Sequence, residues 1–399
     1  MADLAGKKVL LCIGGGIAAY KCPELVRRLG DAGAEVQVAM TRAAREFVTP
    51  LVLQTLSGRP VALELLDARE DAAIGHIRIA EEADVVLVAP ATADLVARMA
   101  LGVADDIVTA ALLVARSPVV VAPSMNCNML EHSAVQRNLA TLRSFGYRVV
   151  DSDRGELACG YEGAGRLPDA DALVAEVLAA LSPKDFEGRR VLVSAGPTRE
   201  AIDPVRYLTN RSSGRMGYAV AAAAWRRGAA VTLVSGPTAL PCPRGVERFG
   251  VSSAAEMHEA MLSRAAASDV VVMVAAVADY RAAWPASEKI KKQAGRALTL
   301  DLAENDDILA ALGSLPGKRV LVGFAAETSD VVRHARDKLT RKGAQLIVGN
   351  NVTRPGAGFD TDTNAAVLVD SKGHSETGMV SKDRLADLIL DRVLAIDSR

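Results

Sequence analysis

Several features that would assign this 399-residue chain to a protein class at once are absent from it. Neither sign of charge dominates, because 47 Lys and Arg residues nearly balance 48 Asp and Glu residues, for a net charge of -1. This balance argues against a nucleic-acid coat and against a polybasic membrane patch. No apolar run reaches the roughly 18 residues that a membrane-spanning helix needs. The remaining composition, 50% apolar and 24% charged, is that of ordinary globular domains.

Cysteine is also scarce, and its spacing excludes several kinds of site. The five cysteines are scattered, and no CxxC pair or Cys/His cluster has the spacing of a zinc site. Free thiols in a reducing cytosol are the natural interpretation. The N-terminal residues lead directly into a strand without the features of a signal peptide, so we expect a cytoplasmic protein. A phosphate-binding loop ending in Gly-Lys-Ser/Thr is missing, which argues against a P-loop kinase.

What the sequence does contain is a degenerate internal repeat. Segments 6–12, 33–38 and 84–88 recur as segments 188–194, 228–233 and 269–273. Continuous apolar strands alternate with helical stretches in both halves, which predicts parallel sheets covered on both faces. We therefore expect an α/β protein with two tandem doubly wound, Rossmann-like, three-layer α/β/α domains. The polar stretch after Leu181 predicts domains at 1–181 and 189–399, joined by a linker at 182–188.

The repeat exposes an insertion in the second half. Gly6 to Gly33 spans 27 residues, whereas Gly188 to Gly228 spans 40, and the thirteen extra residues fall within 196–213. Loops between a strand and a helix usually have about 2 to 6 residues, and longer ones are often functional. Since ligands bind at the carboxyl ends of such strands, this loop is predicted to form part of an active site.

The first half carries a glycine-rich turn that suits a phosphate. Gly14, Gly15 and Gly16, followed by Ile17, come directly after a strand and open a helix, where backbone N–H groups can hold an anion. A dinucleotide site also needs an acid at the end of the second strand, but that strand ends in Thr41. A mononucleotide is therefore favoured over a dinucleotide, although these residues alone leave both possible.

Other polar residues of the first half are predicted to share this crevice. Ala91 and Thr92 follow one buried strand, and Met125 and Asn126 follow the next. His76 precedes the third strand, and a lone histidine is more often structural than catalytic.

A glycine-rich stretch later in this half brings a thiol and a guanidinium together. Residues 158–166 contain Cys159 and Arg166 among three glycines, without a regular period. This is typical of a flap that closes over an anionic substrate, or of a flexible surface loop.

The second half offers carboxylate and cationic candidates. Asp279 follows a buried strand and could hold Mg²⁺, and Lys289 comes next on a loop with Trp and Pro. Lys338 and Lys342 are four residues apart, which by itself suits a solvated helix face.

These motifs resemble a known family. The glycine turn, His76, the Pro-Ser-Met-Asn block at 123–126 and the Cys-Gly stretch at 159–166 are similar to the homo-oligomeric flavin-containing cysteine decarboxylases. The second half resembles phosphopantothenate–cysteine ligases, and the order of the two resembles bacterial bifunctional proteins of coenzyme A biosynthesis. Two departures stand out, since Gly16 replaces a usual Ser or Thr and Leu130 replaces a usual Trp.

The resemblance implies two successive reactions. With CTP, 4′-phosphopantothenate forms an acyl-cytidylate that the amine of L-cysteine attacks, and an FMN-dependent step then decarboxylates the product to 4′-phosphopantetheine. His76 would be the base of the oxidation, Asn126 would orient the carboxylate and Cys159 would supply a proton. In the ligase, Asn210 would steady the acyl-cytidylate and Arg206 would assist its capture.

The remaining site residues implied by the resemblance fall into two sets. The flavin contacts would be Gly14, Gly15, Gly16, Ile17, Thr41, Ala91 and Thr92, with Met125 and Arg166 at the decarboxylase substrate. The nucleotide contacts would be Ala275, Asp279, Lys289, Asp306, Asp307, Ile308, Leu309, Phe324, Lys338 and Lys342, with Mg²⁺ at Asp279 and Lys289 also in a catalytic role.

The family also assembles into trimers through the flavin domain and dimers through the ligase domain, so we expect a homo-oligomer. Two alternatives stay open. One is a flavin prenyltransferase-like enzyme, which would need neither the Cys159 flap nor a fused ligase. The other is a non-catalytic flavin-binding regulatory subunit, which the presence of His76, Asn126 and Cys159 disfavours.

Overall fold

The computed structural model describes residues 4–66, 75–157, 160–292, 297–327, 329–351 and 361–397. The chain divides into two compact units, residues 2–182 and residues 183–399, called the first and second unit below. In the described residues, no helix is both long enough and apolar enough to cross a membrane.

The first unit has a central, fully parallel sheet and a separate hairpin. Its strands are β1 (Lys8–Ile13), β2 (Glu35–Met40), β3 (Val85–Ala91), β4 (Val119–Pro123), β5 (Arg148–Val149), and β6 (Asp153–Glu156) with β7 (Glu162–Arg166) in the hairpin. Its helices are α1 (Cys22–Asp31), α2 (Pro50–Ser57), α3 (Gly75–Glu81), α4 (Ala93–Leu101), α5 (Ile107–Val114), α6 (Cys127–Glu131), α7 (Ser133–Ser144) and α8 (Ala170–Leu181). The order in the parallel sheet is β2-β1-β3-β4-β5.

Strands β1, β3 and β4 are almost entirely apolar because both faces of the sheet are covered. Along β1, Leu11 and Ile13 pack with residues of α1 and α8, whereas Leu10 and Cys12 pack with residues of α4, α5 and α7. Successive side chains of a strand point to opposite faces, so one continuous apolar run fills two cores. The predicted three-layer architecture is confirmed.

The second unit repeats this plan with a larger sheet. Its strands are β8 (Arg190–Ala195), β9 (Arg199–Ala201), β10 (Tyr207–Thr209), β11 (Ala230–Ser235), β12 (Val246–Gly250), β13 (Val270–Met273), β14 (Tyr280–Ala282), β15 (Leu302–Glu304), β16 (Val320–Glu327), β17 (Leu346–Asn351), β18 (Thr363–Asp370) and β19 (Gly373–Ser381). Its helices are α9 (Arg215–Arg226), α10 (Ala254–Ala265), α11 (Ile308–Gly313), α12 (Val331–Lys342) and α13 (Lys382–Asp397).

The large sheet of the second unit is parallel except at one edge. Its order is β12-β11-β8-β13-β16-β17-β18-β19, and only the pairings of β18 with β17 and β19 are antiparallel. Val193 of β8 packs with α9 and α13, and Leu192 packs with α10, α11 and α12 on the other face. The prediction of doubly wound, mainly parallel sheets therefore holds for both units.

The sequence repeat corresponds to a repeated backbone contact. An Oδ2 atom of Asp84 accepts a hydrogen bond from the N–H of Lys8 at 2.8 Å, and Asp269 accepts one from Arg190 at 2.7 Å. In each unit, the aspartate directly before β3 or β13 thus fixes the start of the unit's first strand.

Residues of the segment predicted as a linker make contacts within the second unit. Phe186 is fully buried in a core of the second unit. The guanidinium carbons of Arg227 and Arg189 lie 5.1 Å and 5.6 Å from the centre of its ring, and Asp185 forms an ion pair with Arg227.

Candidate active sites

Three turns of the first unit meet at the glycine turn that follows β1. The N–H of Gly14 donates to the carbonyl of Pro90 at 3.1 Å. A Cβ atom on Gly14 would lie 2.4 Å from that oxygen, and one on Gly15 would lie 2.3 Å from the Cβ of Ala43. Glycine is therefore required at both positions by the neighbouring turns, whichever ligand binds.

This turn lies at the topological switch point of the sheet. Strands β2 and β3 flank β1 on opposite sides, and in sheets of this order ligands bind at the carboxyl ends between the first and third strands. The N–H groups of Gly15 and Ile17 have no acceptor within the described part of the chain. They remain available to a phosphate, so the turn fits the phosphate of a mononucleotide.

Thr41 and Thr92 flank the same turn as helix caps. The Oγ1 atom of Thr41 accepts from the N–H of Ala44, and that of Thr92 accepts from Leu95, both at 3.3 Å. A hydroxyl that accepts a hydrogen bond keeps its own proton to donate. Each threonine can therefore stabilise its cap and still donate to a phosphate oxygen. Ala91, the last residue of β3, is fully buried.

The Pro-Ser-Met-Asn block is held by the β6–β7 hairpin. The N–H of Met125 and the hydroxyl of Ser124 both donate to the carbonyl of Gly165, at 3.1 Å and 3.2 Å. A Cβ atom on Gly165 would lie 2.1 Å from the carbonyl oxygen of Met125, so the hairpin can approach only with glycine there. Asn126 caps α6, since its Oδ1 accepts from the N–H of Asn128 at 2.9 Å.

The prediction that residues 158–166 lack regular structure is wrong for their second half. Residues 162–166 form β7, which pairs antiparallel with β6. The glycines suggest a loop, but in this strand they allow β7 to pack closely against neighbouring residues. A Cβ atom on Gly163 would lie 2.9 Å from the Cβ of Cys127. Arg166 is exposed at the end of β7, and Cys159 lies outside the described residues.

His76 has an unusual environment for a structural histidine. It lies in α3, which packs against α5, and its Nδ1 atom is buried without a hydrogen-bond partner among the described residues. Buried polar atoms are rarely left without a partner. The described residues therefore give this atom no structural hydrogen bond that would account for the histidine.

The second unit contains a cavity of about 970 Å³ at the carboxyl ends of β8, β13 and β16. Residues 210–214, the end of the inserted loop, form part of its wall. The cavity brings together ten residues predicted from the sequence: Asn210, Ala275, Asp279, Asp306, Asp307, Ile308, Leu309, Phe324, Lys338 and Lys342. Arg206 and Lys289 are not among the residues that line it.

The two α12 lysines face the cavity, so they do not form the solvated helix face that their spacing by itself suits. Lys338 Nζ donates to the carbonyl of Phe324 at 2.7 Å, and burial lowers the pKa of this lysine. Lys342 is 13% exposed and forms an ion pair with Asp307, which also caps α11. Although burial raises the pKa of Asp307, the Lys342 ammonium and the N–H of Ala310 hold it below its usual value. The cavity thus has a cationic side.

Asn210 contacts the opposite wall of the cavity. Its Nδ2 atom donates to the carbonyl of Val277 at 2.8 Å. Gly214, not Asn210, is the N-cap of α9, so capping does not explain this asparagine. One N–H of the amide remains for a further acceptor.

Arg206 is engaged in a brace within the inserted loop. Its Nη2 atom donates to the buried carboxylate of Asp203 at 2.6 Å and to the carbonyl of Ile290 at 2.7 Å. The N–H of Ile290 also donates to Asp203, at 3.1 Å. The guanidinium of Arg206 holds the pKa of Asp203 far below its usual range. The brace fixes the segment next to Lys289.

Within the described ranges, no group of three or more His, Cys, Asp or Glu residues could hold a metal ion. Asp279 is one of the carboxylates that line the cavity, together with Glu304, Asp306 and Asp307. This arrangement suits Mg²⁺, which is often held by one or two carboxylates together with substrate phosphates.

Sequence reasoning missed polar residues at the far end of the cavity. Asn350 follows the apolar run of β17, and Asn364 and Lys382 begin β18 and α13. The signal that could have found Asn350 is a polar residue at the carboxyl end of a buried parallel strand.

Comparisons with known proteins cover both units. Residues 2–182 match the family model described as "Flavoprotein", and residues 186–396 match "DNA/pantothenate metabolism flavoprotein C-terminal domain". The chain is 50% identical over 395 residues to the coenzyme A biosynthesis bifunctional protein CoaBC of Vibrio parahaemolyticus, covering 98% of this chain and 99% of that one. The CoaBC protein of Escherichia coli K12 is 49% identical over 396 residues, with 98% of each chain covered.

A solved structure is similar to the second unit. It is the C-terminal domain of a coenzyme A biosynthesis bifunctional protein, with 39% sequence identity and a TM-score of 0.46. The match covers 54% of this chain and 98% of that structure.

Proposed function

The chain belongs to the family of bifunctional coenzyme A biosynthesis proteins, and from that membership we propose two successive activities. The second unit joins 4′-phosphopantothenate to L-cysteine with CTP, and the first unit decarboxylates the resulting phosphopantothenoylcysteine to 4′-phosphopantetheine. The observation that carries this proposal is 50% identity to a family member across 98% of the chain, which includes both units.

In the ligase step, the carboxylate of phosphopantothenate attacks the α-phosphorus of CTP and releases pyrophosphate. The amine of cysteine then attacks the acyl-cytidylate and releases CMP. The free N–H of Asn210 is proposed to steady the acyl group, while Lys338 and Lys342 offset the charge of the triphosphate. Mg²⁺ would be bound by Asp279 together with phosphate oxygens.

In the decarboxylation step, FMN would be held by the glycine turn, Thr41 and Thr92. When bound, it supplies the oxidation of the substrate's cysteine thiol and the return of those electrons after CO₂ has left. His76, the imidazole to which the family resemblance assigns this step, would take the proton in the oxidation. Asn126 would orient the carboxylate, and Cys159 would donate the final proton.

The family pattern also bears on assembly and location. We propose self-association through both units, as a flavin-domain trimer and a ligase-domain dimer, in the cytoplasm. Arg206 and Lys289 do not line the cavity of their own chain, and we propose that they act at the cavity of a second copy. No partner beyond the small-molecule substrates and this chain itself is needed, neither nucleic acid nor membrane.

The decisive experiment measures both the ligation and the decarboxylation in the purified protein. We expect a yellow protein that releases pyrophosphate from CTP and incorporates cysteine when both phosphopantothenate and cysteine are present. It should also release CO₂ from supplied phosphopantothenoylcysteine. A flavin prenyltransferase or a regulatory subunit would release none, and that result would refute the proposal.

A further inference from the structure

One wall of the second-unit cavity is irregular, yet its backbone is held by buried side chains. Residues 274–279 follow β13 and line the cavity. The Oγ atom of Ser194 accepts from the N–H groups of the first two residues of this wall, both at 3.0 Å. The Oγ1 atom of Thr198 accepts from the N–H of Ala278, also at 3.0 Å.

Neither of these two side chains is able to touch a ligand directly. Ser194 and Thr198 are both 0% exposed, and neither is among the residues that line the cavity. Ser194 is the next-to-last residue of β8, and Thr198 lies near the start of the inserted loop. At the other end of that loop, Asn210 bonds to the same wall. Residues near both ends of the inserted loop therefore hold this wall: Thr198 through a buried hydrogen bond and Asn210 through one at the cavity.

We propose that Ser194 and Thr198 are positioning residues of the ligase: their buried hydroxyls hold the wall at 274–279 in the conformation that binds the nucleotide. Thr198 acts through Ala278 on the adjacent Asp279, and Ser194 acts through Ala275. The inference rests on the proposed CTP-dependent function. It also gives the thirteen extra residues a role in addition to their direct contacts with the cavity.

The test compares two variants of the full-length protein, one that loses the side-chain oxygen of residue 198 and one that keeps it. Thr198→Val keeps the shape of the side chain and removes the oxygen, which leaves the N–H of Ala278 buried without its acceptor. Thr198→Ser keeps the oxygen and removes a methyl group. Because the wall borders a cavity, it can relax in the free protein, and the cost then appears on binding. We expect the Kd for CTP to rise about tenfold in Thr198→Val and to return to within about threefold of wild type in Thr198→Ser.

Isothermal titration calorimetry separates positioning from folding. A purely structural role would lower the number of CTP sites per chain and the thermal midpoint, but the remaining folded molecules would bind with the wild-type Kd. If Thr198→Val does not fold, Ser194→Ala, which removes a single atom, provides the same comparison against wild type.

Equal Kd values for Thr198→Val, Thr198→Ser and wild type would overturn the inference. Failure of the wild-type protein itself to bind CTP would instead overturn the proposed function, and the inference with it.

Discussion

Replacing Asn210 by Asp tests whether this residue takes part in the reaction or only holds the inserted loop. In the structure, Nδ2 of Asn210 lies 2.8 Å from the carbonyl oxygen of Val277. Aspartate would place an oxygen where that nitrogen stands, facing another oxygen. Because the side chain of Asn210 is exposed, the carboxylate can turn away into solvent, and the loop loses one hydrogen bond.

The two roles predict different magnitudes. Loss of one neutral hydrogen bond costs about 1 kcal/mol, which is roughly a fivefold effect. Loss of an oriented donor to a group that develops charge costs about 3 kcal/mol, which exceeds a hundredfold in rate. Repulsion between the new carboxylate and the triphosphate adds to the second value. We therefore expect ligation to fall by more than about a hundredfold in Asn210→Asp.

The assay measures pyrophosphate release and cysteine incorporation at saturating CTP. Asn210→Ala is the matched control, because it removes the donor without adding a charge, and its ligation rate should also fall by far more than about fivefold. Decarboxylation of supplied phosphopantothenoylcysteine should stay at the wild-type rate in both variants. Ligation within about fivefold of wild type in both would show that Asn210 only anchors the loop.

Three further predictions address the flavin site and the cationic side of the cavity. Heating the protein should release FMN, identified by chromatography. Gly15→Ala should purify without most of its yellow colour, because the new methyl group would lie 2.3 Å from the Cβ of Ala43. Full colour in this variant would contradict the turn geometry. Cys159→Ser should still release CO₂ but accumulate the unsaturated thiol, because a serine hydroxyl is a far weaker acid than a cysteine thiol. His76→Asn should release no CO₂. If mass spectrometry finds the normal saturated product from Cys159→Ser, that cysteine is excluded as the proton donor. Burial lowers the pKa of Lys338, so the wild-type protein should lose CTP affinity at a lower pH than it would with an exposed lysine at this position. Lys338→Arg should retain its CTP affinity to higher pH. Coincident profiles of Kd against pH for the two proteins would contradict a role of Lys338 in binding CTP.

The fold could be predicted because its determinants are local. Continuous apolar runs such as β1 and β8 have no polar side to expose, so covering sheets on both faces is their main solution. The repeated aspartates at positions 84 and 269 mark equivalent strand starts, and the structure gives both the same backbone contact. A pattern that short can be recognised without knowledge of any distant contact.

Parts of the candidate sites could not be predicted because distant residues decide them. The spacing of Lys338 and Lys342 suits a solvated helix face, whereas in the structure Lys342 forms an ion pair with Asp307, the N-cap of α11. Similarly, nothing near Arg206 in the sequence shows that Ile290, 84 residues later, accepts one of its hydrogen bonds. Side-chain partners across such separations depend on the packing of elements, which local patterns do not encode.

The buried position of Phe186 determines how the ligase half should be expressed for screening or crystallisation. A fragment that starts at residue 189 omits this ring together with Asp185, the ion-pair partner of Arg227. Removing a buried phenylalanine side chain costs about 3–5 kcal/mol, a large share of the roughly 5–15 kcal/mol that keeps a typical protein folded. A fragment that starts at Pro183 retains the ring and both arginine contacts. The six residues 183–188 should therefore raise the thermal midpoint of the isolated ligase half.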